Sequence, residues 1–114
     1  MKILITIQKN EVSPRFDLTS EILITGVEGG KIVGEPRIIL LPRTSGDELC
    51  SLIVKEGVSS VVCGGIEEAH FEYLLWKKVT VFDGIIGPYA EALEWVLDNR
   101  LKPKTILPES YLRK

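Results

Sequence analysis

The chain has 114 residues, 45% apolar and 26% charged, which is the composition of a globular protein with one domain. Its 14 basic and 16 acidic residues are dispersed and give a net charge of −2, so no surface for nucleic acid is predicted. No apolar run approaches the roughly 20 residues of a membrane span, and no membrane association is expected. Two cysteines, Cys50 and Cys63, are too few for a disulfide framework and indicate a cytoplasmic location.

The first part of the chain is typical of β-structure. Residues 2–7 are almost continuously apolar, as in a strand buried on both faces. After a polar loop, residues 22–27 and 31–41 are predicted to form two further strands, joined by a hairpin turn at Gly29-Gly30. Pro36 cannot donate a hydrogen bond to a neighbouring strand, which places the third strand at a sheet edge or at a bulge.

The rest of the chain alternates helices and strands. Ser45 is predicted to begin the first helix through a capping box with Glu48, and Gly57 to end it. A valine-rich strand over 58–62 leads through two glycines into a helix over 67–76, and a strand over 79–82 follows. A third amphipathic helix starts at Pro88 and stops before residue 103. Residues 103–114 form a tail, either loosely held or in contact with the sheet or a partner.

This βββαβαβα order predicts an α/β fold. A hairpin followed by right-handed crossovers gives a mixed five-stranded sheet in the order 3-2-1-4-5, with only the second strand antiparallel and with three main helices. The arrangement is ribonuclease H-like. It places the proline-containing strand at an edge and the most apolar strand in the centre. The predicted domain covers residues 1–102.

Four loops then follow the carboxyl ends of the parallel strands, at residues 8–16, 42–46, 63–67 and 83–88, and they share one rim of the sheet. Three helices begin there, and their N–H groups suit an anion, a phosphate or a metal–sulfur species. The alternative is that the glycines of these loops only make turns. The predicted ligand-binding residues are Ser13, Arg15, Phe16, Ser45, Gly46, Gly64, Gly65, Gly84 and Gly87.

Cys63 is the predicted metal ligand, because a thiol near a helix N-terminus should have a lowered pKa. The alternative is a small buried residue that closes the strand. Cys50 lies next to the apolar stripe of the first helix and is interpreted as core. Glu67 and His70, one helical turn apart, make a weak metal pair, so His70 is expected to be a surface residue.

Enzymatic activity is not predicted. Ribonuclease H-type catalysis needs carboxylates on the first strand to hold two metal ions, and residues 2–7 contain none. The sequence also lacks a P-loop, a CxxC pair and a convincing Ser/His/Asp set. A Cys63-dependent enzyme is a distant third possibility.

Several short motifs stand out along the chain: Val12-Ser13-Pro14-Arg15-Phe16, Gly29-Gly30, Cys63-Gly64-Gly65-Ile66, and Phe82-Asp83-Gly84 with Gly87 and Glu91-Ala92-Leu93. In their order and spacing they resemble the dinitrogenase iron–molybdenum cofactor biosynthesis family, whose relatives include NifX, NafY and the C-terminal part of NifB. The resemblance covers about residues 1–102. It implies the ribonuclease H-like fold and, in better-understood members, binding of metal–sulfur clusters or their precursors.

Two interpretations follow from the resemblance. The first is a non-enzymatic carrier that holds an iron–sulfur or iron–molybdenum type cluster, a cluster precursor or another small anion at the rim. The second is an interaction or regulatory module without a cofactor, with a protein partner or a second copy as its ligand. Family members often carry histidine where this chain has Arg15 and Thr44-Ser45, and glycine where it has Glu67. These departures remove likely cluster ligands and add negative charge where an anionic cluster would lie, and the second interpretation is kept as the alternative to the first.

Overall fold

The computed structural model describes residues 1–108; residues 109–114, the end of the predicted tail, lie outside the described part. The three helices are α1 (Gly46–Lys55), α2 (Glu68–Trp76) and α3 (Tyr89–Leu97), and residues 16–18 form one 3₁₀ turn. The strands are β1 (Lys2–Gln8), β2 (Glu11–Val12), β3 (Glu21–Glu28), β4 (Lys31–Leu40), β5 (Ser60–Val62) and β6 (Thr80–Phe82).

The strands form one mixed sheet in the order β4-β3-β1-β5-β6. β1 runs parallel to β5, β5 runs parallel to β6, and β3 is antiparallel to both of its neighbours. The predicted α/β fold and strand order are therefore confirmed. The difference is β2, which pairs with the end of β1 through Ile7 and Val12 and makes the sheet six-stranded. Two residues are too few to show a periodic pattern, so the sequence did not predict this strand.

β4 occupies the sheet edge and also carries a bulge. Its register with β3 shifts between Ile24 and Gly26, opposite residues 33–37. Gly34 has a φ of 76° there, and Pro36 lies in the same segment. Both the edge position and the bulge follow from a proline that cannot donate to a ladder.

The core has two layers because β1 is buried on both faces. Leu4 faces α1 and α2 and packs in a cluster with Leu49, Ile53 and Leu74. The neighbouring residues of β1 face α3, in a second cluster formed by Ile3, Ile5, Ile7, Val62, Ile85, Ala92 and Leu107. Leu107 is fully buried, and Ile106 bridges to Ile86, so the described part of the tail packs against the domain.

α1 has the predicted N-cap residue, Ser45. The Ser45 hydroxyl accepts a hydrogen bond of 3.2 Å from the Glu48 amide, which satisfies one of the free N–H groups of the first turn. The Glu48 carboxylate forms an ion pair of 2.7 Å with Arg43. Ser45 thus stabilises the helix start. Within residues 1–108, none of the helices is long and apolar enough to cross a membrane.

Candidate functional site

Main-chain hydrogen bonds join three of the predicted rim loops. The Gly65 amide donates to the Pro14 carbonyl at 2.8 Å, and the Phe16 amide donates to the Gly65 carbonyl at 2.8 Å. The Gly84 amide donates to the Gly64 carbonyl at 2.9 Å. Residues far apart in the chain are therefore held side by side at the carboxyl edge of the sheet.

Gly64 lies directly under the first rim loop. A Cβ atom at this position would collide with the Ser13 carbonyl oxygen and would lie 2.6 Å from the Pro14 carbonyl oxygen. At Gly65 the nearest atom to an added Cβ is the Pro14 carbonyl oxygen, at 3.4 Å, which is an ordinary contact. Gly64 is thus required by the close approach of the chain's own backbone.

The other rim glycines also face atoms of the chain itself. In each case an added Cβ would lie against a side chain from a distant segment, namely His70 for Gly46, Lys104 for Gly84 and Leu107 for Gly87. This arrangement supports the interpretation that these glycines allow close packing. Their part in ligand binding stays a prediction.

Two concave regions lie on either side of residues 13–14. The larger one, here called the rim groove, has a volume of about 410 Å³ and is lined by Gln8, Lys9, Glu11, Val12, Pro14, Ile85, Ile86 and Gly87. The smaller one, the rim pocket, has a volume of about 200 Å³ and is lined by Ile7, Gln8, Ser13, Pro14, Arg15, Leu18, Ser20 and Glu21. The predicted residues Gly87, Ser13 and Arg15 therefore line open space.

Arg15 already has an internal counter-ion. Its guanidinium Nη2 lies 2.8 Å from Asp17 Oδ2, and its Nε lies 3.2 Å from Asp17 Oδ1. This two-point geometry is the strong form of an arginine–carboxylate pair, although its exposure to solvent weakens it. An anion that binds Arg15 has to compete with Asp17.

Ser13 and Phe16 support the loop from inside. The Ser13 and Thr19 hydroxyls lie 3.2 and 2.8 Å from the Arg15 carbonyl oxygen, and both side chains are buried. Phe16 is 1% exposed, and its ring centroid lies 5.8 Å from that of His70. Thr19 was missed by the sequence analysis, because an isolated threonine after a polar loop carries no recognisable signal.

Cys63 is fully buried, in the cluster that contains Leu4 and Phe16. Burial, and to a smaller extent the negative charge of Asp83, raises the pKa of its thiol to about 12. The expected lowering of this pKa is therefore wrong. α2 begins at Glu68, with Glu67 as its N-cap residue. The Cys63 side chain lies in the apolar interior, which disfavours the charged thiolate.

The raised thiol pKa predicts a loss of stability at alkaline pH. The stabilisation of the protonated Cys63 is fully present below pH 9.0 and is lost as the pH rises from there toward about 12, because the unfolded chain releases the proton first. We expect the free energy of unfolding, measured in urea, to fall less between pH 9 and 11 for Cys63→Ala than for wild type. The difference in slope should be up to about 1.4 kcal/mol per pH unit. Equal slopes of unfolding free energy against pH in the two proteins would contradict a raised pKa of the Cys63 thiol.

Cys50, the other buried thiol, provides a comparison for that measurement. It is buried in the core, as predicted, and burial together with the charge of Asp47 raises the pKa of its thiol to about 11. A Cys50→Ala variant should therefore also have a shallower pH slope than wild type. Its effect should end at a lower pH than that of Cys63→Ala.

His70 is partly buried where the first turns of α1 and α2 meet. Its Nδ1 lies 3.8 Å from Asp47 Oδ1, and its Nε2 lies 3.8 Å from Glu67 Oε1. The expectation of a surface histidine holds in part: the side chain is 17% exposed and packs against Gly46 and Phe16. Among residues 1–108, no three His, Cys, Asp or Glu side chains are placed to hold a metal ion together.

A further groove runs between α1 and α2, which lie on the same side of the sheet. This α1–α2 groove has a volume of about 390 Å³ and is lined by Asp47, Cys50, Ser51, Ala69, His70 and Tyr73.

Solved structures with the same fold cover nearly the whole chain. A Methanocaldococcus jannaschii protein provisionally called a dinitrogenase is 19% identical, with a TM-score of 0.72 over 90% of this chain and 92% of that one. A Thermotoga protein provisionally called NifB is 20% identical, with a TM-score of 0.70 over 95% and 97% of the two chains. The apo orange protein of Desulfovibrio gigas is 17% identical, with a TM-score of 0.70 over 90% and 91%.

Identities this low establish a common fold and nothing more about function. No curated protein matches the chain. The family described as "Dinitrogenase iron-molybdenum cofactor" matches residues 1–99, which is most of the sequence and includes every predicted rim loop. The chain therefore belongs to the dinitrogenase iron–molybdenum cofactor family.

Proposed function

We propose that this protein is a non-enzymatic carrier that holds a metal–sulfur cluster, a cluster precursor or another small anion at the carboxyl rim of its sheet. The observation that carries the proposal is the rim groove, an open volume of about 410 Å³ between loops that main-chain hydrogen bonds hold together. Membership of a family named for the iron–molybdenum cofactor supports a ligand of this class.

The polarity of the rim supports an anionic ligand. α2 and α3 both begin at this edge, and the side chains of their N-cap residues, Glu67 and Pro88, make no capping hydrogen bond. The N–H groups of a first helical turn attract negative charge, although in α3 the Tyr89 amide already donates to the Asn10 carbonyl. Lys9 in the groove and Arg15 in the pocket add two cations. These are balanced by Glu11 and Glu21 in the same cavities and by the pairing of Arg15 with Asp17.

In this proposal Cys63 is the one thiol at the rim that could bind the metal. Its thiol has to become exposed and lose its proton first, because only the thiolate is a good ligand and burial holds the pKa near 12. Ligand binding through Cys63 is therefore coupled to opening of the loops around Gly64. Binding through the groove alone needs no such opening.

The test is anaerobic incubation with ferrous iron, sulfide and tetrathiomolybdate, followed by gel filtration and elemental analysis of the protein fraction. We expect bound molybdenum or iron in wild type, and less in Lys9→Glu and Arg15→Glu, which reverse the charge of the groove and the pocket. Cys50→Ala, which removes the other buried thiol, within α1, should bind as wild type does. Absence of bound metal in wild type would overturn the proposal of a metal–sulfur cluster or precursor as the ligand, and full binding by Cys63→Ala would exclude Cys63 as a metal ligand.

A second candidate function is a metal-free interaction or regulatory module. It is supported by the enclosed Cys63 thiol and by the Arg15–Asp17 pair, which already neutralises the rim arginine. It predicts that protein purified without oxygen contains no metal and gains none in the incubation above.

A further inference from the structure

The C-terminal tail is bonded to the last of the four rim loops. The Lys104 amide donates a hydrogen bond to the Asp83 carbonyl at 2.7 Å. The Ile86 amide donates to the Thr105 carbonyl at 3.1 Å, and the Ile86 carbonyl accepts from the Leu107 amide at 2.8 Å. Ile86 thus donates to the residue before its bridge partner and accepts from the residue after it, as in two parallel strands. The tail therefore extends the main-chain bonding of the rim.

The Leu107 side chain anchors this contact. It is fully buried, in the cluster that also contains Ile85 and Ala92. It packs directly against Gly87, where an added Cβ would lie 2.8 Å from Leu107 Cβ. The tail residues of the contact lie beyond position 99, where the family match ends. Burial of a leucine and three main-chain bonds together hold the last rim loop in place.

The same loop is also bonded to the other side of the rim groove. The Val12 amide donates to the Gly87 carbonyl at 2.9 Å. Val12 belongs to β2, which pairs with the end of β1 through Ile7. Gly87 directly follows Ile86, the residue that the tail holds from both sides. A continuous row of main-chain hydrogen bonds therefore runs from the tail, through the last rim loop, to β2.

We propose that residues 103–107 are a latch that positions the walls of the rim groove. The paired tail holds Gly87 within reach of Val12 and so sets the separation of the two segments that line the groove. A groove held in this way binds a small ligand without the cost of ordering its loops, so the latched chain is the form that binds. For its effect on binding this inference rests on the proposed carrier function, whereas the coupling of the tail to β2 is a property of the chain alone.

The first test is amide hydrogen exchange of the full chain, followed by NMR spectroscopy. Leu107→Ala removes the buried anchor of the tail. It should accelerate exchange of the Ile86 and Val12 amides about tenfold more than exchange within β1. The acceptor of the Val12 amide is Gly87 and not a tail residue, so a tail that merely frays would leave this amide unaffected. Faster exchange at Ile86 with an unchanged Val12 amide would overturn the latch, as would no change at either.

Leu23→Ala is the matched control. Leu23 lies in the same buried cluster and undergoes the same chemical change, but it belongs to β3. Its general loss of stability should accelerate the Ile86 and Val12 amides no more than those of β1. Leu107→Val leaves a smaller cavity and keeps the chain folded if the alanine variant does not fold; it should act in the same direction by a smaller factor. The same exchange pattern in the Leu23 and Leu107 variants would refute the latch.

The second test connects the latch to binding. Tetrathiomolybdate binding, measured by anaerobic equilibrium dialysis, should be about threefold or more weaker in Leu107→Ala than in wild type and unchanged in Leu23→Ala. Unchanged binding despite faster exchange at Val12 would overturn the role of the latch in the site. Absence of binding in wild type would overturn a metal–sulfur species as the ligand and, with it, the effect of the latch on that ligand. The exchange test would still decide whether the tail is coupled to β2.

Discussion

Replacement of Gly64 with alanine is expected to lower the free energy of unfolding by about 3 kcal/mol, from overpacking and from lost hydrogen bonds. The added methyl group would occupy the space of the Ser13 and Pro14 carbonyl oxygens, which belong to the main chain and cannot rotate away. The loop would have to move, and the bond between the Gly65 amide and the Pro14 carbonyl would break. Urea unfolding, followed by circular dichroism, measures this loss.

Gly65→Ala is the control for that measurement. It makes the same chemical change at the next residue, where an added Cβ lies 3.4 Å from its nearest neighbour. We expect its effect to stay within about 1 kcal/mol. Similar losses in both variants would contradict the close approach at Gly64.

Phe16→Ala is expected to cost about 4 kcal/mol, within the usual range for the loss of a buried phenylalanine. Its side chain is almost completely buried in the cluster beneath α1 and α2, and truncation leaves a cavity beside His70. The same equilibrium unfolding measurement applies.

Leu18→Ala is the matched control, since Leu18 lies in the same 3₁₀ turn but is 57% exposed. Its effect should stay within about 0.5 kcal/mol. If Phe16→Ala were as mild as Leu18→Ala, the first rim loop would not be anchored in the core. In that case the rim groove would not be a preformed site.

Together these two variants test how rigid the candidate site is. Gly64 packs against the main chain of residues 13–14, and Phe16 anchors the same loop in the core. The walls of the rim groove therefore depend on core packing. A preformed groove binds a small ligand without paying to order its loops. Metal binding by Cys63 instead requires those loops to open, so the loop-destabilising Gly64→Ala variant should favour it.

The fold was predictable because its signals are local. The apolar run over residues 2–7 indicated a central strand, Pro36 indicated an edge, and Ser45 indicated a helix start, each from the chemistry of a few neighbouring residues. The strand order followed from hairpin and crossover rules that depend only on the sequence of elements. The family motifs were recognisable for the same reason, because they are short, glycine-containing segments that occur in a definite order.

The environment of individual side chains was decided by the tertiary structure. Cys63 follows a strand and precedes a helix, which predicts a reactive thiol, yet residues from several distant segments enclose it and raise its pKa. His70 looked like a surface residue, but α1 and the 3₁₀ turn pack against it and leave its side chain only partly exposed. Burial and electrostatics depend on which distant segments meet, so a local pattern can place a residue on an element but cannot determine its surroundings.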